Sequence, residues 1–121
     1  MRIYISGPIT GHDLAAVEEA FNIAEEKITE RGHDVINPFQ MSKELDEGLP
    51  WEKYMRYDIP HLAYCDAIYL MPGWIYSKGC NLEYDIARQM GMHLFDDMNR
   101  IPYTPKRKRE RKAYSNRQSK Q

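Results

Sequence analysis

Tyr4, three carboxylates (Asp58, Asp66 and Glu83) and two glycine-bearing turns are the residues of this 121-residue chain whose types and spacing suit chemistry on a small molecule. "GPITG" at positions 7–11 directly follows the apolar run Ile3, Tyr4, Ile5, where a strand is expected to end and a helix to begin. Such junctions aim unpaired N–H groups into one crevice, so Gly7, Ile9, Thr10 and Gly11 are candidate ligand contacts. Glu83 follows Ser77 and Gly79 near the start of a helical pattern. A helix N-terminus favours negative charge by roughly 0.3–1 kcal/mol, which keeps a carboxylate ionised and suits a nucleophile. An acid that is simply a good helix former explains the position equally. Asp58 reads either as an acid or as a solvated charge beside Arg56. Asp66 starts a strand, at the end away from the crevice, and reads as structural. Tyr4 lies in a run buried on both faces, where a hydroxyl needs a partner.

The elements that must position these residues are legible from periodicity. Positions 2–6 read as a buried strand, and apolar residues at three- and four-residue steps make 13–31 an amphipathic helix, capped by Asp13 and ended by Gly32. "HDVINP" gives a short second strand closed by Pro38, and positions 39–50 read as a loop able to act as a flap. A second helix spans 51–64, with a kink or break expected after Tyr57 because Pro60 falls inside it. "DAIYLMPGW" is a third strand and loop, 79–90 a third helix ended by Gly91, and "MHLFDD" a fourth strand. The order β-α-β-α-β-α-β predicts an α/β domain: a three-layer open parallel sheet of four to five strands, Rossmann- or flavodoxin-like. In such a sheet the C-terminal strand ends share one rim, which brings the 4–11 stretch, Asn37 and the 73–83 stretch together.

The 17 basic and 18 acidic residues are unevenly placed. From Lys106 onward there are eight Lys or Arg against Glu110 alone, leaving nine basic and seventeen acidic residues before it. The expectation is one domain over 1–103 followed by a basic, disordered tail over 104–121. That tail suits either contact with nucleic acid or a solubilising role against the acidic body. No apolar stretch approaches the length needed to cross a bilayer, and the start of the chain does not read as a signal peptide, so a cytoplasmic setting without membrane contact is expected. Cys65 and Cys80 are then free thiols, and the scattered histidines at 12, 33, 61 and 93 suggest no metal site. The lack of a G-x-G-x-x-G fingerprint counts against a dinucleotide oxidoreductase.

Taken in order, "YISGPITG", "RYDIPHLAYCDAIYLMPGW" and "SKGCNLEYDIA" closely resemble the nucleoside 2-deoxyribosyltransferase-like superfamily over about positions 2–95. That superfamily includes nucleotide N-hydrolases of the 5-hydroxymethyl-deoxyuridine monophosphate type, and the nearest likeness is to a branch of small bacterial and phage proteins. The resemblance implies cleavage or exchange of the N-glycosidic bond of a 2-deoxyribonucleoside or its 5′-monophosphate, through a covalent glycosyl-glutamate and without a cofactor. It implies Glu83 as nucleophile, Tyr4 as the hydroxyl that holds it, and Asp58 as the acid that binds the sugar or protonates the departing base. In this setting Gly7 admits the sugar, Ile9, Thr10 and Gly11 offer N–H groups, Ser77 and Gly79 cradle a 5′-phosphate, and Trp74 stacks on the base or merely packs. Relatives complete the site from a neighbouring subunit, implying a homodimer or higher oligomer. Pro60, two residues after Asp58, and the basic tail depart from the pattern. A non-catalytic nucleotide sensor whose tail binds nucleic acid or a partner is the alternative, and a nicotinamide dinucleotide glycohydrolase is a third reading.

Overall fold

The computed structural model describes residues 1–104; positions 105–121, which hold nearly all of the expected basic tail, lie outside the described residues. Four strands, β1 (Arg2–Ser6), β2 (Asp34–Ile36), β3 (Ala67–Leu70) and β4 (His93–Phe95), form one sheet in the order β2-β1-β3-β4, with every pairing parallel. The helices α1 (Leu14–Glu30), α2 (Pro38–Met41), α3 (Trp51–Ala63) and α4 (Lys78–Gln89) supply the crossovers. The fold is therefore a flavodoxin- or Rossmann-like α/β domain. Among the described residues no helix is long and apolar enough to cross a membrane.

Side-chain alternation divides the core between the two faces of the sheet. Ile3 and Ile5 of β1, with Ala67 and Tyr69 of β3, pack on one face against Val17, Phe21, Ala24 and Ile28, which recur along one side of α1. Tyr4, Ile68 and Leu70 pack on the other face against Leu62 of α3 and Ala87 of α4. Asp13 caps α1 by accepting from the Ala16 N–H at 3.0 Å, and Gly32 follows the helix in the left-handed region at φ +93°. The N-terminal ammonium donates to His33 Nδ1 at 3.1 Å, while His33 Nε2 donates to the Pro102 carbonyl at 2.6 Å. Because a carbonyl can only accept, this pair of contacts fixes the tautomer. It also ties the start of the chain to the segment that carries the buried Ile101.

Two expectations need correction. The 39–50 stretch is not all loop: Asn37 caps α2 by accepting from Gln40 N at 3.3 Å, Pro38 occupies its first turn, and a 3-10 turn follows at Ser42–Glu44. Proline suits that position because its missing N–H would have no helical partner there. Of the kink or break expected around Pro60, the break does not occur, for α3 runs through it to Ala63. The carbonyl left without its usual donor belongs to Arg56, and both residues are exposed, so water can satisfy it.

Gly7, at the end of β1, is small for the sake of the core. A Cβ there would lie 2.5 Å from Met71 Sδ and 3.1 Å from two Phe21 ring atoms. Gly7→Ala is expected to destabilise the fold by about 1–3 kcal/mol through overpacking, read by urea denaturation. Unchanged stability would refute this packing account.

Candidate active site

Tyr4 and Ser6 stand two residues apart on β1, so both hydroxyls face the α3–α4 side of the sheet. Glu83 meets them from α4. Its orientation follows from how that helix starts: Ser77 caps it by accepting from Cys80 N at 3.3 Å, and Gly73 turns the chain at φ +86°. The Asn81 amide then donates to the carbonyls of Ile75 and Ser77 at 2.9 and 2.8 Å, fastening the loop to the helix. Glu83 lies in the second turn with only 5% of its surface exposed. Among the described residues it is the one buried acid. The Tyr4 hydroxyl donates to Glu83 Oε2 and the Ser6 hydroxyl donates to Oε1 at 2.7 Å.

Asp58 projects from α3 into the same cleft, which has a volume of about 1140 Å³ and opens along the C-terminal ends of the strands. Its Oδ1 is buried and has no hydrogen-bond partner among the described residues. Burial first, and the Glu83 charge second, push the Asp58 carboxyl up to about 7. Burial also pushes Glu83 up to about 7, against the pull of the two hydroxyls, which favour the charged form. Tyr4 stays a proton donor because burial and then the Glu83 and Asp58 charges hold its phenol well above the ordinary range. This revises the sequence reading of Glu83. It is not a first-turn acid charged by the helix terminus; its ionisation depends on hydroxyls from another element.

Of the other candidates, Gly7, Ile9, Thr10, Ser77 and Gly79 line the cleft. Ile9 and Thr10 precede the helix and belong to a turn closed by His12 N donating to the Ile9 carbonyl at 3.1 Å. Gly11 is in that turn at φ +82°, outside the cleft, so it shapes the backbone there instead of offering a helical N–H. Gly79 faces α3, where a Cβ would make ordinary contact with Met55 Sδ at 3.4 Å and Trp51 Nε1 at 3.5 Å, so packing there does not demand a glycine. Asn37 is not at the cleft: it is buried as the α2 cap, and its amide donates to Glu25 at 2.9 Å and Asn22 at 3.3 Å on α1. Trp74 also points elsewhere, its ring centroid 4.9 Å from that of Tyr84. Asp66 accepts from Arg2 N at 2.8 Å where β1 and β3 begin, away from the cleft. Cys65 and Cys80 are buried free thiols.

Sequence reasoning overlooked Ser6. A hydroxyl two residues from Tyr4 in the buried part of the same strand was the available signal, because period two puts both on one face. It also overlooked the aromatic wall of α3, Trp51 and Tyr54, which lines the cleft; the Lys78 ammonium lies 3.9 Å from the Trp51 ring centroid.

The chain matches a family described as Domain of unknown function (DUF4406) over residues 1–96. No curated protein matches it. Among solved structures it is similar to a 2-deoxyribosyltransferase from the psychrotolerant bacterium Bacillus psychrosaccharolyticus, at 18% identity and a TM-score of 0.62, over 88% of this chain and 100% of that one. At that identity the likeness is one of fold.

The raised carboxyls have a thermodynamic signature. In the folded state Asp58 and Glu83 hold protons up to about 7, whereas their ordinary values are 3.8 and 4.5. Between those limits the folded state binds more protons than the unfolded one, so their contribution is full at low pH and is lost as pH rises through about 7. Asp58→Asn should therefore gain stability relative to the parent protein from about pH 4 upward and level off above about pH 8. Thermal unfolding of both proteins across that range checks it, and a difference independent of pH would contradict the assignment.

Proposed function

The chain belongs to the family described as Domain of unknown function (DUF4406), and from the carboxylates of its cleft we infer that it cleaves or exchanges the N-glycosidic bond of a 2-deoxyribonucleoside or its 5′-monophosphate. One observation carries this reading: a buried carboxylate held by two hydroxyls shares a cleft with a second carboxyl whose buried Oδ1 has no hydrogen-bond partner among the described residues. The fold shared with a 2-deoxyribosyltransferase supports the choice of bond.

Glu83 attacks the anomeric carbon of the deoxyribosyl group as the bond to the base breaks. The electron pair of that bond leaves with the base, and Asp58 supplies a proton to it. The product is a glycosyl ester of Glu83, with the deprotonated Asp58 beside it. Asp58 then takes a proton from water or from an incoming base, whose attack on the same carbon frees Glu83 and returns the cleft to its starting state. Two displacements at one carbon retain its configuration, as in retaining glycoside chemistry. The Tyr4 hydroxyl orients Glu83 throughout, and a fixed carboxylate reacts faster than a mobile one. Trp51 and Tyr54 offer flat apolar surface suited to a base, and Ser77 and Lys78 offer polar groups suited to a 5′-phosphate.

Incubation with a panel of deoxynucleosides and their monophosphates, followed by chromatography for free base, tests substrate and reaction together. Glu83→Gln should abolish base release, with at least about a 10³-fold loss, and release at the parental rate would refute the mechanism. Asp58→Asn should cost about 10²- to 10⁴-fold.

The two acids also set the pH profile. Catalysis needs Glu83 ionised and Asp58 protonated, and both titrate near 7, so kcat/KM should peak close to neutrality and fall on either side. The alkaline limb should vanish in Asp58→Asn. A profile flat from about pH 5 to pH 9 would contradict the pairing.

A further inference from the structure

One buried member of the cluster has no role in the chemistry above. Ser6 is 1% exposed and does not line the cleft, so it cannot touch a substrate there. We propose that Ser6 is a positioning residue for Glu83: its hydroxyl, donating to Oε1 while Tyr4 donates to Oε2, fixes the rotation of the carboxylate about its terminal bond. The inference rests on the nucleophile assigned above.

The argument is geometric. A carboxylate held through one oxygen can still turn about its Cγ–Cδ bond, because that torsion is broad and roughly two-fold. A second donor on the other oxygen removes the freedom. Both donors come from one strand that is paired on both sides, and Ser6 is anchored further by its carbonyl, which accepts from Met71 N at 2.8 Å. The donors therefore form a rigid two-pronged fork. Ser6 has a single proton to give, and Glu83 takes it. The groups facing Glu83 are Tyr4 and Ser6 from β1, Cys80 from its own helix and Asp58 from α3. The two hydroxyls are the groups here that favour its charged form, whereas burial opposes it.

Removing the Ser6 hydroxyl leaves Oε1 buried and unpaired, so the carboxylate should bind its proton more tightly and react more slowly. The test uses carbon-13 NMR of the glutamate carboxyl in the protein without substrate, with the Glu83 signal assigned by its absence from Glu83→Gln. In Ser6→Ala the Glu83 midpoint should move up by roughly one pH unit, and in Ser6→Cys, whose thiol is a weaker donor, by less. With substrate, Ser6→Ala should lower kcat by about 10- to 100-fold at neutral pH, leave KM within about twofold, and shift the acid limb of the profile upward. A Glu83 midpoint unmoved in both variants overturns the proposal, as does a kcat for Ser6→Ala within about twofold of the parent. A structural role alone would change stability and leave the midpoint where it was. If no base is released by the parent protein, the catalytic reading fails, and the titration, read without substrate, still decides whether Ser6 holds Glu83.

Discussion

A negative charge on Glu83 has to survive on a side chain that is almost wholly buried. Among the described residues no lysine or arginine pairs with it, so the stabilisation that an ion pair would give is absent. Two neutral hydroxyls provide it instead. Hydrogen bonds to a charged group contribute roughly 1.5–3 kcal/mol each, against a desolvation penalty of several kcal/mol for an unpaired buried ion. The balance leaves the carboxyl titrating near 7. A cation at that position would hold the charge more firmly and make a poorer nucleophile. Hydroxyl donors keep the carboxylate available while fixing where it points.

The central position of β1 makes this possible. Hydrogen-bonded to β2 on one side and β3 on the other, it is one of the two interior strands and a rigid base from which to aim a side chain. Its alternation separates two tasks: Ile3 and Ile5 seal the α1 face, while Tyr4 and Ser6 serve Glu83 on the other. The glycine that follows belongs to the first task, since its missing Cβ makes room for Met71 and Phe21. The turn that opens the cleft is thus shaped by packing beneath it as much as by what enters above.

Asp58 completes the electrostatics from a third element. Its own burial does most to hold its proton and the Glu83 charge adds to this, so an ionised Glu83 favours a protonated Asp58. That division suits one group accepting a sugar while the other releases a proton. The helix that carries Asp58 also carries Trp51 and Tyr54, so the acid and the apolar wall move as one unit.

Much of the fold was legible in the sequence because period two and period three-to-four burial are local patterns: β1, α1, β3, α4 and even the short β4 lie close to where they were read. The misreadings concern residues with two local meanings. Asn37 and Pro38 end a strand and equally start a helix, and α3 continues through Pro60 with the carbonyl it orphans open to water. Glu83, Asp58 and Tyr4 stood out through motif order and spacing, whereas composition alone left each of them open between chemistry and packing. By itself, then, the sequence determined the order of elements, the parallel sheet and the rim on which a site would form, since these follow from chain-local periodicity and the handedness of crossovers. Only the tertiary structure decided what kind of carboxyl Glu83 is. Its burial, its partnership with Ser6 and its coupling to Asp58 arise where β1, α3 and α4 converge, and a charge's free energy depends on everything around it, whatever its distance along the chain.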